Sequence, residues 1–204
     1  RALEFAVEEL PFIFWQYEDA DLCSAIPGAG ASARQIFDFL DRVVFVNGYS
    51  DDALTYYEAY YYQSATELGG PAVGETGLED LLRYPGQDGP EILPPIGVEK
   101  SFAPAVMPMI ERFVLEDAER FLFIYGENDP YSSAMFELGA AKDSYRFTVP
   151  SGNHGASISD LPDGPRGTAL AAIAAWSGVA PMPVPPEILA KQREARMRFR
   201  PHKW

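Results

Sequence analysis

The side chains best suited to chemistry lie in two short segments, FLFIYGENDP (Phe121 to Pro130) and FTVPSGNHG (Phe147 to Gly155). The first presents Asp129. The second presents His154, the only histidine outside the C-terminal tail. A carboxylate that fixes an imidazole's tautomer, beside an imidazole that takes a proton, makes the acid and base of a nucleophilic triad. Glu127, two residues closer to the strand, is a rival for the acid. Plainer roles also exist: Asp129 as a turn or helix cap before Pro130, and His154 as a hydrogen-bonded loop histidine. The nucleophile is missing, because no G-x-S-x-G-like elbow occurs in the chain. The sequence reads as the back half of a hydrolase.

Both segments are brief apolar runs stopped by polar, Gly- or Pro-containing punctuation, the pattern of a buried parallel strand that ends in a loop. Around them the spacing predicts a helix over Met109–Glu119, a strand ending at Gly126 and a helix over Ser132–Ala141. A strand over Tyr145–Val149 and an alanine-rich helix over Gly167–Ser177 complete the series. This order is the closing portion of a doubly wound, mostly parallel α/β sheet. Two strands do not make a stable parallel sheet, so the rest is expected from an upstream segment of the same protein.

The first half reads differently. A helix over Ala2–Leu10 should break at Pro11, before the aromatic cluster PFIFWQY. Ala31–Val46 carries Ile36, Phe39, Leu40 and Val43 at helical spacing. Ser50, Asp51 and Asp52 signal the start of another helix, SDDALTYYEAYYYQSATEL, which ends at Gly69-Gly70. Fourteen of the 27 aromatic residues fall within residues 1–66, and the plain expectation is that most pack a small helical domain. Prolines punctuate Tyr84 to Pro108, a connector between substructures. The expected organisation is a helical cap over 1–105, the C-terminal part of an α/β domain over 106–180, and a basic tail over 181–204, in which PPEILAKQREARMRFRPHKW (185–204) has an amphipathic helical pattern.

At 204 residues with 47% apolar content, the chain can form one large domain or two small ones. No apolar run approaches the length of a membrane span. A single Cys23 excludes an internal disulfide and leaves the compartment open. Residue 1 is Arg, and the first ten residues lack a signal-peptide core, so the chain is expected to begin inside a longer, processed or trimmed polypeptide. The net charge of −14 is uneven: residues 1–99 hold 18 acids against 4 bases, whereas the tail 191–204 holds 6 bases against one acid. So negative a field repels nucleic acid and anionic lipid and favours a cationic ligand. The basic tail could dock on the acidic body or on anionic polymers; a solvated helix is its plainer reading.

FLFIYGENDPYSSAMFELG and DSYRFTVPSGNHGASISDLP, with the upstream ALEFAVEELPFIFWQY, resemble the Streptomyces-type secreted tripeptidyl aminopeptidases, serine peptidases of the α/β-hydrolase clan. Lysosomal prolyl carboxypeptidases and dipeptidyl peptidases are similar more distantly. The resemblance runs from about Ala2 to Val179, and its specific part is the Asp and His motifs. It implies a helical cap inserted into an α/β-hydrolase domain, with Asp129 and His154 as triad acid and base. It also implies release of tripeptides from free peptide N-termini, often after proline, outside the cell and without metal or organic cofactor. The chain departs from the family in lacking the serine, its elbow and the oxyanion hole, which an upstream segment must supply. Alone, this polypeptide should be inert.

The composition suits such a substrate. A protonated amine is best held by carboxylates in a partly dehydrated pocket. Candidates are Glu8 and Glu9 beside the aromatic cluster, or Glu18, Asp19 and Asp21 after it, although each alone could simply be a solvated residue. Trp15 or Tyr17 could pack a flat proline ring. The rival enzyme is an esterase, lipase or dehalogenase-like hydrolase with the same Asp/His pair, since fold does not fix substrate. A lipase cap should be apolar and mobile, whereas this one is acidic and Tyr-rich. A rival of another class is a non-catalytic binding module that keeps the fold.

Overall fold

The computed structural model describes residues 1–191 apart from 72, 73, 88, 90, 183, 184, 186, 189 and 190. The chain divides into two compact units. The first comprises Arg1–Phe14 and Asp21–Met109; the second comprises Trp15–Ala20 and the described residues from Ile110 on.

The first unit is helical. Helix α1 (Ala2–Tyr17) runs through Pro11 instead of stopping at Leu10. Proline inside a helix costs about 3 kcal/mol through a lost hydrogen bond and a clash with the preceding turn. The turns beyond it bury Ile13, Phe14 and Gln16, and each large apolar side chain removed from water returns about 2 kcal/mol. Burial therefore overrides the local breaker.

Helix α2 (Ala33–Val44) starts where Ser32 and Gln35 form a reciprocal capping box, and it buries Leu40, Val43 and Val44. Ile36, expected on the buried stripe, is 49% exposed. The long Tyr-rich segment is not one helix. It forms α3 (Asp51–Tyr56), capped by Ser50, then α4 (Glu58–Gln63), then a π-helical turn over Ser64–Leu68 that ends at Gly69. The break falls at Tyr57, whose N–H donates to the carbonyls of both Leu54 and Thr55. Phe5 packs edge-on to Tyr49 at 6.0 Å, and Ala6, Leu40, Val44 and Leu54 are buried with them.

The second unit combines helices with a small parallel sheet, an arrangement compatible with the α/β class. After α5 (Val106–Glu116), β1 (Leu122–Gly126) pairs in parallel with β2 (Tyr145–Val149), in a register that sets Leu122 against Tyr145 and Gly126 against Val149. These are the only two strands among the described residues. Helix α6 (Asp163–Ser177) closes the unit, capped by Gly178 at φ 70°. Buried Val149, Leu161 and Ala169 form its core, with Leu122, Ile124, Phe147 and Ile158 packed against them.

The helix expected over Ser132–Ala141 is absent. A short 3₁₀ turn (Pro130–Ala134) stands there, followed by irregular chain. Tertiary partners take the backbone groups that a helix would have used. Phe136 N–H donates to the Tyr125 hydroxyl at 3.2 Å, Arg146 donates to the Phe136 carbonyl at 2.9 Å, and Ala140 N–H donates to the Leu115 carbonyl at 2.7 Å. The amphipathic helix expected in the tail falls largely on residues outside those described.

Candidate active site

Because β1 and β2 end in register, the loops that follow Gly126 and Val149 emerge side by side. They are tied together at once. Glu127 N–H donates to the Val149 carbonyl at 3.1 Å, and Asn128 N–H to the Gly152 carbonyl at 2.8 Å. The Glu127 carboxylate accepts from Ser151 N–H at 2.6 Å. Gly126 is required by this closeness: a Cβ there would lie 2.3 Å from the Asn153 carbonyl oxygen and 2.6 Å from that of Gly152. Ser151 takes the left-handed conformation, at φ 53°, to turn the second loop back.

The closure brings Asp129 and His154 together. The Asp129 side chain is 7% exposed, and its Oδ2 lies 2.8 Å from His154 Nδ1. Its other oxygen, Oδ1, accepts from Tyr131 N–H at 3.2 Å, which caps the 3₁₀ turn. The turn-cap role and the imidazole-anchoring role of Asp129 are thus compatible, one for each oxygen. His154 is held through its backbone as well, its N–H donating to the Gln16 carbonyl at 2.9 Å. Its ring is 46% exposed, and Nε2 has no hydrogen-bond partner among the described residues. The geometry is that of an imidazole whose Nδ1–H is held by a buried carboxylate, leaving Nε2 open to accept a proton from outside. Glu127, the rival acid, instead braces the loop at Ser151.

Two tyrosines flank the ring. Tyr17, at the end of α1, meets it edge-on at 6.0 Å and 82°, and Tyr131 lies 5.3 Å away at 47°. On the acid's side, Trp15, Pro130, Met135, Asn128 and Ser132 help line a cleft of about 520 Å³, which His154 does not line. The Ser132 hydroxyl is buried and has no hydrogen-bond partner among the described residues.

Of the residues expected to bind substrate, Trp15 and Tyr17 therefore stand beside Asp129 and His154. Glu18 and Asp19 follow them in the same unit. Glu8, which is buried, and Glu9 belong to the first unit. There Glu9 faces Tyr61, whose phenol is pushed up to about 12, first by burial and then by the charges of Tyr60, Glu9 and Tyr57. Tyr131 and the Gln16 carbonyl are the two contacts to His154 that the sequence did not point to. Tyr131 could have been found, since it stands two residues from Asp129. Nothing local links Gln16 to a loop far along the chain. Among the described residues, no three His, Cys, Asp or Glu side chains come together as metal ligands would, and no helix is long and apolar enough to cross a membrane.

Comparison with known proteins places this geometry in context. The profile of the family described as PS-10 peptidase S37 matches residues 1–200. A prolyl tri/tetrapeptidyl aminopeptidase from Streptomyces mobaraensis is 40% identical over 187 residues, which cover 90% of this chain and 39% of that protein. The chain thus spans about two-fifths of the length of the curated relative that it matches. No solved structure gives a significant match.

Proposed function

The chain belongs to the PS-10 peptidase S37 family, and on that premise we propose that it forms the C-terminal part of a secreted serine exopeptidase with the α/β-hydrolase fold. Residues 1–105 are the helical cap, 106–180 the end of the catalytic domain and 181–204 a basic tail. An upstream segment of the same protein supplies the nucleophilic serine, its oxyanion hole and the remaining strands. The activity is release of tripeptides from free peptide N-termini, with proline preferred before the scissile bond.

The observation that carries this reading is the 2.8 Å contact from His154 Nδ1 to a buried Asp129, with the imidazole half open to solvent. In the proposed reaction His154 Nε2 takes the serine Oγ proton as Oγ attacks the peptide carbonyl. Asp129 stabilises the imidazolium that forms. Collapse of the tetrahedral intermediate passes the proton to the departing amine and leaves an acyl-enzyme. Water then repeats the cycle, losing its proton to Nε2, and frees the tripeptide. Trp15 and Tyr17 offer flat aromatic walls for a proline ring. The substrate's ammonium falls to a carboxylate, with Glu8, Glu9, Glu18 and Asp19 as candidates.

The test uses the full-length protein and a chromogenic tripeptide ending in proline, compared with its N-acetylated twin and a short-chain ester. Acetylation removes one charge-assisted contact worth roughly 1.5–3 kcal/mol, so kcat/KM should fall by about one to two orders of magnitude. Changing the responsible acid to its amide should shrink that gap. Equal turnover of free and blocked peptides would defeat the exopeptidase reading, and faster ester cleavage would favour an esterase.

A further inference from the structure

We infer that Tyr131 is a positioning residue for His154, holding the imidazole in the orientation that proton transfer needs. The inference rests on the proposed acid–base role of His154. It draws on two contacts that meet in one residue. The Tyr131 N–H donates to Asp129 Oδ1 at 3.2 Å, while the opposite oxygen, Oδ2, faces His154 Nδ1 at 2.8 Å. The Tyr131 ring then lies 5.3 Å from the imidazole, tilted by 47°. The acid therefore fixes the turn that carries the ring, and the ring closes on the base that the acid anchors.

The His154 side chain has need of such a wall. With 46% of its side chain exposed, the imidazole is held at Nδ1 by Asp129, and packing against the ring is what limits its remaining swing about χ1 and χ2. Tyr17 meets the ring edge-on at 6.0 Å, on the end of α1. Tyr131 supplies a second aromatic surface from the acid's own loop. An aromatic face also favours a cation, so the same contact strengthens as the imidazole becomes imidazolium in the transition state. An interaction stronger in the transition state than in the ground state raises kcat and leaves substrate binding alone.

The test compares Tyr131→Phe, which keeps the ring, with Tyr131→Leu, which keeps bulk without a π face, in the full-length enzyme. Tyr131→Leu should lower kcat by about threefold to thirtyfold with KM changed less than about twofold. It should also broaden or abolish the downfield proton resonance of the His154 Nδ1–H held by Asp129. Tyr131→Phe should restore both. Should the Leu variant fold poorly, Tyr131→Met makes the same comparison. Normal kcat and an intact proton signal in the Leu or Met variant would overturn the inference, as would a Phe variant as impaired as Leu. His154→Ala separates this from the underlying reading. An active His154→Ala enzyme removes the acid–base role itself, whereas an inactive one beside a normal Tyr131→Leu removes only the role of Tyr131.

Discussion

Gly126→Ala offers a sharp test of how the two loops are positioned. A Cβ at residue 126 would lie 2.3 Å from the Asn153 carbonyl oxygen, whereas ordinary contact begins at about 3.4 Å. One loop must therefore retreat by about 1.1 Å, the difference between those distances. The obstruction is backbone, which cannot swing aside as the end of a side chain could. Asn153 directly precedes His154, so the retreat displaces the imidazole from Asp129. A misplacement of about 1 Å in a catalytic group costs about a hundredfold in rate, and overpacking at a closed site costs about 1–3 kcal/mol of stability. Gly126→Ala in the full-length enzyme should therefore lose about two orders of magnitude in kcat. Its urea midpoint should drop by a corresponding 1–3 kcal/mol in unfolding free energy. Gly164→Ala is the control, because a Cβ there meets nothing within 4 Å. An unchanged kcat in Gly126→Ala would refute the argument that this crossing of loops sets the acid–base geometry.

Glu127→Gln should reduce kcat by less than about threefold and stability by about 1 kcal/mol, since glutamine can still accept from Ser151 N–H as a neutral group. Asp129→Asn should cost about four orders of magnitude by favouring the wrong tautomer; the reverse pattern would make Glu127 the acid. The Tyr61 phenol, raised to about 12 against an unfolded value near 10, makes the folded state retain a proton that the unfolded state gives up. Stability should be insensitive to this group below about pH 10 and fall between about pH 10 and 12, by at most about 2 kcal/mol given its partial exposure. Denaturant titrations across that range should show a shallower fall in Tyr61→Phe, and an identical slope would contradict the assignment.

The parts of the chain most legible in sequence were those governed by local rules. The two strands announce themselves as apolar runs ending at Gly126 and at the Pro150-Ser151-Gly152 turn, and the helical spacing of Leu40 and Val43, both buried, marks α2. Asp129 and His154 could be paired because parallel strands in register must deliver their following loops to one edge. Local rules failed where tertiary partners outbid them. Pro11 sits inside α1 because burial of Ile13 and Phe14 holds the helix on. Ser132–Ala141 carries helix-forming residues, yet Tyr125, Arg146 and Leu115 capture its backbone groups, and Gly139 turns it at φ 50°. The seating of His154 on the Gln16 carbonyl was hidden for a simpler reason: no periodicity links α1 to a loop so far along the chain.

The central claim is that Asp129 and His154 activate a serine that lies upstream of this chain. It is tested most directly by labelling the full-length protein with a fluorophosphonate and locating the modified residue by peptide mass mapping. The label should fall on one serine preceding Arg1, and His154→Ala should abolish it while leaving the fold intact. A label on Ser132, Ser133 or any other serine of residues 1–204, or undiminished labelling in His154→Ala, would contradict the account.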